Sequence, residues 1–392
     1  MSTESPVLFV VASSARALAA SAVRAGYRVE VVDGFCDLDT RALGPCLQAP
    51  LQGSRLDLAR VRDALEARIE HHRKRGDVIA GAVAGAGLES TPEMLSWLAA
   101  RLPLLGNGPE IARLLASSAG FLHVIDVLGI DHPESRLEPP AQEAASWLVK
   151  ETGRDGGLGV RHWQPSMARP RGPHAFQRFM AGTPGSLLFL ADGADVVPIG
   201  FNRTLVSDVS GELPFLYGGV ISGLPLTAAQ QERIAAWATR LTDHLGLRGL
   251  NGIDFVLGPD GRPDLLELNA RPTASLSLYD AQIDGGLIAH HISACRGAVP
   301  ALAAPGMKHS AGQMVLYAWR DLEISADMPW PDWVSDRPCP GVEIARGAPL
   351  CSISAAGETP EQVETLLGER SRQLVDRLEP ERAVISAIEE IL

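Results

Sequence analysis

Apolar and polar positions alternate between two periods along the first hundred residues. Val7 to Val11 is an unbroken apolar run, the pattern of a parallel strand buried on both faces. A helical stretch follows to Arg24, with Gly26 in the usual stop position. Val29 to Val32 reads as the next strand, with Asp33 at its end. Leu56 to Arg75 has the period of a helix, and Val78 to Val83 is again a buried strand. Thr91-Pro92 opens a further helix as N-cap and first residue. Strands alternating with helices predict a small doubly wound α/β unit.

The breaker cluster Pro103 to Glu110 marks a boundary, and one helix is expected from there to about Leu128. Strands then dominate, at Trp147 to Lys150, Ala175 to Met180, Ser186 to Leu190 and Val196 to Gly200. Thr227 begins a strong helix that Gly246 stops. Two strands flank the turn Gly258 to Gly261. Val299 to Pro305 reads as a linker. Short strands and two helices, near Glu361 to Arg377 and Glu381 to Ile391, complete the chain.

Composition narrows the class of function. Of 392 residues, 35 are Lys or Arg and 47 are Asp or Glu, a formal net charge of −12. An acidic chain lacks the basic footprint that duplex nucleic acid or an anionic membrane requires. The N-terminus has no basic segment and no apolar run is long enough to span a bilayer, so neither a leader nor a membrane helix is expected. The cysteines are Cys36, Cys46, Cys295, Cys339 and Cys351. An odd count without CxxC predicts reduced thiols in a cytoplasmic protein.

The segment Asn251 to Ser275, NGIDFVLGPDGRPDLLELNARPTAS, carries the most chemistry. Asp254 and Glu267 are equidistant from a turn centred on Asp260-Gly261, so they should face each other across a hairpin. Asn269 shares the face of Glu267. Two carboxylates and an amide oxygen at one sheet end suit Mg²⁺, which retains waters and takes phosphates as further ligands. The competing reading is a solvated edge hairpin whose acids pair with Arg262 or Arg271.

A second cluster is Trp147 to Val160. Only three lysines occur, Lys74, Lys150 and Lys308, and an apolar strand delivers Lys150 to a loop with Gly153, Gly156, Gly157 and Gly159. Glycines let backbone N–H groups approach an anion, so the pair reads as a phosphate clamp. A hairpin tip with a stray lysine is the alternative. A third is His174 to Ser186, where Phe176, Phe179 and Met180 could line a slot for a base, or simply form a core strand.

These three clusters, in this order, resemble the ATP-grasp enzymes from Gly106 to about Tyr279. The resemblance is to carboxylate–amine ligases and implies an ATP-grasp fold preceded by a doubly wound domain and closed by a small α+β domain. The divisions expected are 1–106, 107–300 with a lid at about 122–190, and 301–392. It implies that Asp254, Glu267 and Asn269 bridge Mg²⁺, or Mn²⁺ in its place, to ATP. Lys150 would reach the phosphates and Gly153–Gly159 would cover them. Gln177 would lie near the adenine amine, with the backbone of Arg178 and Met180 at the adenine hinge. Arg271 would contact the transferred phosphate or the substrate carboxylate.

Arg203, Tyr217, Gly218 and Gly219 are expected to wall the acceptor site. Two family features are replaced: the place of a second lysine falls near Ser117 and Ser118, and Pro184 stands where a ribose-binding glutamate is common. His123 and Arg113 read as substitutes or as ordinary helix residues. Pro331 to Gly357 resembles the small β-rich domain that closes some carboxylases, and Cys339 and Cys351 there do not form a metal site.

The activity implied is ADP-forming ligation of a carboxylate to an amine, through an acylphosphate. Amino acids such as glutamate are common substrates in the family, and small-molecule or cofactor biosynthesis is a common setting. The partners expected are small molecules, not nucleic acid or membrane, with a homodimer allowed. Two other classes remain: a silent ATP-binding regulator, and a nicotinamide-dependent oxidoreductase. The second is disfavoured because the loop after the first strand, ASSARAL, has no glycine.

Overall fold

The computed structural model describes residues 5–89, 91–140, 146–168, 170–207, 213–298 and 309–378. Near the N-terminus, four parallel strands lie in the order Cys46–Gln48, Arg28–Asp33, Val7–Ala12, Ile79–Ala84. Val7–Ala12 is buried along its whole length, as its unbroken apolar run requires. Helix Arg16–Arg24 packs on one face, and Gly26 beyond it takes a left-handed φ of +86°.

Two local expectations change. The helix expected from Leu56 begins at Arg62, after a 3₁₀ turn Leu58–Val61. Leu56 itself pairs with Leu51 in a short hairpin and donates its N–H to Gly87 O. Cys36 and Cys46 are joined in a disulfide rather than reduced. The cause is register: Cys46 stands beside Val31 in the adjacent strand and Cys36 lies just past that strand's end, which leaves the two Cα atoms 6.0 Å apart. Cys295, Cys339 and Cys351 are free thiols.

The segment after the boundary forms two helices, Pro109–Leu115 and Ser118–Val127, not one. Ser117 breaks them by accepting from Gly120 N–H as an N-cap. A four-stranded antiparallel sheet follows, in the order Ser135–Arg136, His174–Arg178, Trp147–Glu151, Val160–His162.

An eight-stranded antiparallel sheet forms the centre. Its order is Pro263–Asn269, Arg248–Leu257, Thr183–Asp192, Val196–Ser207, Leu216–Ser222, Ser310–Tyr317, Pro349–Gly357 and Val334–Ser335. The last three come from the C-terminal ninety residues, so that segment continues the central sheet. Helix Ala228–Leu245 covers one face with Ile234, Trp237, Ala238 and Leu241, under a Thr227/Gln230 capping box. Helix Gly286–Cys295 packs with helix Arg16–Arg24 in a core shared with the sheet. Helix Pro360–Leu378 matches the first C-terminal helix expected. The second, and the linker Val299–Pro305, lie outside the described residues.

Two side chains fasten the first unit to the sheet. Asn107 Nδ2 donates to Asn251 Oδ1 at 2.7 Å and to Ala270 O at 3.0 Å, while its Oδ1 accepts from Arg248 N–H at 2.9 Å. Buried His291 accepts from Leu250 N–H at Nδ1 (2.8 Å), and its Nε2 lies 3.0 Å from Leu105 O. The accepting Nδ1 makes Nε2 the donor, a neutral ring; burial accordingly lowers its pKa to about 4. The breaker cluster at Gly106-Asn107 therefore docks directly onto the strand that bears Asp254.

Candidate active site

The hairpin Arg248–Leu257/Pro263–Asn269 brings Asp254 opposite Glu267 and Gly252 opposite Asn269. Near its turn the register pairs Leu257 with Pro263 and Val256 with Asp264, a centre at Asp260. Continued unbroken, that register would place Leu266 opposite Asp254. A shift between Asp254 and Phe255 takes up Leu266 as an extra residue and restores Glu267 to the position. The bulge also supplies a ligand, since Leu266 O accepts from Lys150 Nζ at 3.2 Å.

The three oxygen-bearing side chains form one group. Asn269 Nδ2 donates to Asp254 Oδ2 at 2.9 Å, and Arg271 Nη2 donates to Asn269 Oδ1 at 3.1 Å. Burial pushes the Asp254 carboxyl up to about 7, with the Glu267 charge adding to it and Asn269 and Lys150 opposing. Glu267 is raised by burial, again against Lys150. Its side chain nonetheless keeps a solvent-exposed surface toward a large cleft. Among the described residues no three His, Cys, Asp or Glu side chains converge as a metal cage. Two under-neutralised carboxylates beside an amide oxygen do fit Mg²⁺, which draws its remaining ligands from phosphate and water.

Lys150 stands opposite Ala175, next to the Leu148–Gln177 pair. Its Nζ donates to Gln177 Oε1 at 3.4 Å as well as to Leu266 O, linking the small sheet to the hairpin. The glycine loop folds over toward the first unit. Asp155 N–H donates to Ser54 Oγ at 2.9 Å, Gly87 N–H to Asp155 Oδ2 at 3.2 Å, and Tyr217 N–H to Gly156 O at 2.9 Å. Gly153, Gly156 and Gly157 all have left-handed φ. At Gly157 (φ +77°) a Cβ would stand 1.8 Å from Phe215 O, so only glycine permits this approach. Gly159 packs on Glu151 and does not line the cleft.

Around the expected base slot the assignments divide. Phe176 is fully buried against Trp163, ring centroids 4.9 Å apart, because strand alternation turns it into the small sheet's core. Gln177, Arg178, Phe179 and Met180 line the cleft. The Arg178 N–H is already donated to Glu134 O at 2.8 Å, which leaves only the remaining backbone groups of that turn for a base edge. Pro184 also lines the cleft, as does Ser118, whose hydroxyl bonds that of Thr152. Arg113 points away, to Ser96 Oγ at 2.9 Å.

Asp254, Glu267, Asn269, Lys150, the glycine loop except Gly159, and Gln177 to Met180 open into one cavity of about 1210 Å³. Arg271 is nearly enclosed there and forms ion pairs with Glu89 and, at 3.7 Å, with Asp155. Burial lowers its pKa to about 10. Asp155 is pushed up to about 6 by burial and the Glu267 charge, against the Gly87 hydrogen bond. Tyr217 lines the same space. Arg203 does not: it turns to Glu364 of the C-terminal helix at 2.6 Å. Gly218 and Gly219 also lie outside the lining. A Cβ on Gly219 would meet Gln313 O at 2.3 Å, so its role is close packing of neighbouring strands. Glu89, Asp155 and Ser54 carry no motif. Their part follows only from the docking of loops remote in sequence.

Residues 121–275 match the family model of the ATP-grasp domain. A D-alanine–D-alanine ligase of Anaeromyxobacter sp. (strain Fw109-5) is 24% identical over 210 residues, 47% of this chain and 67% of that protein. Residues 121–275 therefore form an ATP-grasp domain, and the curated relative that shares it is a ligase.

Two solved structures share its fold throughout. The biotin carboxylase domain of Hydrogenobacter thermophilus 2-oxoglutarate carboxylase, in complex with MgADP, ADP and bicarbonate, has a TM-score of 0.69 at 13% identity. The match covers 94% of this chain and 89% of that one. Carboxyaminoimidazole ribonucleotide synthase from Aspergillus clavatus, complexed with ATP, has a TM-score of 0.67 at 15% identity, covering 95% and 99%. Among the described residues no helix is long and apolar enough to cross a membrane.

Proposed function

We propose that the protein is an ATP-dependent, ADP-forming carbon–nitrogen ligase that activates its carboxylate beside Arg271 and joins it to an amine in the outer part of the same cavity. One observation carries the reading: Asp254 faces Glu267, with Asn269 bonded to Asp254, in a cleft that also holds Lys150 and the glycine loop. Asp254, Glu267 and Asn269 would hold Mg²⁺, which when bound offsets the charge of the ATP phosphates. Lys150 Nζ binds phosphate oxygens, and the N–H groups of Gly153, Gly156 and Gly157 close over them. Gln177 and the backbone at Arg178 and Met180 receive the adenine.

Arg271 orients the carboxylate and offsets charge as its oxygen attacks the γ-phosphorus and ADP leaves. The amine nitrogen then attacks the acyl carbon, phosphate departs with the bond electrons, and the amine gives up a proton. The closed glycine loop keeps water from the acylphosphate. An amino acid such as glutamate is the class of carboxylate proposed. A homodimer and a cytoplasmic setting are also proposed; the Cys36–Cys46 bond weighs against the second, since cytosolic disulfides are rare.

Phosphate release from ATP in a library of carboxylates and amines tests the reading. Release that requires one carboxylate and one amine together supports it. The rival, nucleotide binding without turnover, rests on Ser118 and Pro184 in place of a lysine and a glutamate. Saturable ATP binding with no release in any pairing would establish that rival.

A further inference from the structure

The cavity continues past Arg271 to a wall the ligation chemistry does not use. Phe35, Asp37, Arg41 and Leu51 line it from the first unit, and Asp336 and Pro338 from the C-terminal segment. Four carboxylates gather at this wall: Asp37 and Asp336 line it, with Asp33 and Asp39 behind. Three of them are fully engaged. Asp33 accepts from the N–H groups of Ala15, Phe35 and Cys36 at 2.6, 2.6 and 2.7 Å. Asp39 accepts from the N–H groups of Asp336 and Arg337 at 2.8 and 3.0 Å. Asp336 pairs with Arg16 at 2.7 Å.

Asp37 differs. It is only 8% exposed, it lines the cavity, and no hydrogen bond to its carboxylate occurs among the described residues. Its position as an N-cap without a capping bond leaves both oxygens uncommitted. The nearby cations include Arg16, held by Asp336 and Asp39, exposed Arg41, whose Nε donates to Cys36 O at 2.6 Å, and Arg337, whose backbone bonds Leu38 and Asp39; none of the three is ion-paired with Asp37 among the described residues. Burial, Asp336, Asp33 and Asp39 together push Asp37 up to about 8, against a smaller opposing pull from Arg16.

We infer that Asp37 binds a protonated nitrogen of the amine substrate, one other than the nitrogen that is acylated. A metal ion does not suit the wall, because one free carboxylate is offered and the other three are engaged by backbone or by Arg16. An ammonium suits it: it needs a single carboxylate in a negative field, and Phe35 lines the same cavity. The nitrogen that attacks the acyl carbon must be unprotonated, so the one Asp37 holds is a second. The substrate class is thus a diamine or an amine bearing another basic group. Only the word substrate rests on the ligase reading; binding of the cation stands apart from it.

Calorimetric titration of the full chain with 1,4-diaminobutane and with butylamine tests this, with MgADP titrated in parallel. Wild-type protein is expected to bind the diamine about tenfold or more tightly than butylamine. Asp37→Asn should abolish that preference while Asp37→Glu retains it, with MgADP affinity unchanged in both. Equal affinity of wild-type protein for the two amines would overturn the inference, whatever the variants do, and so would a preference that survives in Asp37→Asn. Diamine preference without MgADP binding would instead count against the ligase reading and leave the cation site standing.

Discussion

Replacing Asp254 by Asn should make the metal-free protein more stable at alkaline pH. Folding raises the Asp254 carboxyl from 3.8 to about 7. The native state therefore binds this proton more tightly than the unfolded chain does. That contribution is full below the unfolded pKa and is lost as pH rises through the folded one. The ceiling is about 4 kcal/mol, from roughly 1.4 kcal/mol for each of about three units. Water in the cleft reaches the pair and Lys150 opposes the shift, so about 1–2 kcal/mol is expected.

An Asn side chain at 254 can still present an oxygen to Asn269 Nδ2, which limits the structural damage. Urea unfolding in EDTA at pH 5 and pH 8 reads the effect. The variant should gain on the wild type from pH 5 to pH 8, since at pH 5 only about a third of the loss between pH 3.8 and about 7 has occurred. Saturating MgADP should reverse the order at pH 8, since nucleotide at 100 times its Kd stabilises the competent protein by about 2.7 kcal/mol. Parallel pH dependences of the two proteins in EDTA would refute the argument, because the charge at 254 would then be costless.

Three more outcomes follow. Glu267→Gln should lower kcat by roughly a hundredfold or more with an unchanged thermal midpoint in EDTA at pH 5; full turnover in this variant would dismiss the metal assignment. Lys150→Ala should weaken MgATP binding about tenfold or more, and Lys308→Ala hardly at all, since Lys150 lines the cleft, whereas Lys308 follows the Pro/Ala-rich linker in sequence and lies outside the described residues; equal affinities in a direct titration would remove the clamp. Amide exchange across residues 150–162 should slow when MgATP saturates, and Gly157→Ala, whose Cβ would meet Phe215 O, should prevent that slowing; protection indifferent to nucleotide would show that the loop is no lid.

What could be read from the chain was local. The hairpin's carboxylates are equidistant from the Asp260-Gly261 turn, so the turn signal suggested that Asp254 faces Glu267, while the bulge at Leu266 that completes the pairing left no mark in the pattern. Lys150 is conspicuous because lysine is rare and four glycines follow within a few residues. The rest depended on elements distant in sequence. Glu89 and Asp155 reach Arg271 from a loop after the first sheet and from the glycine loop. Asp37 faces the cavity because residues 336–337, almost three hundred positions away, clasp its segment through Asp39. Phe176 looked equivalent to Phe179 by composition, but strand parity buries it against Trp163. The C-terminal strands read as a separate β-rich unit because nothing in their own pattern names the sheet edge at Leu216–Ser222 that they join.

Oxygen-18 transfer tests the central claim most directly. Wild-type protein would be supplied with MgATP, the amine and a carboxylate substrate labelled on both carboxyl oxygens, and the phosphate released would be weighed by mass spectrometry. Attack of the carboxylate on the γ-phosphorus predicts one labelled oxygen in each phosphate. Phosphate that carries label only when the water is labelled would contradict an acylphosphate, and with it the ligase chemistry assigned to Lys150, Arg271 and the Asp254–Glu267 pair.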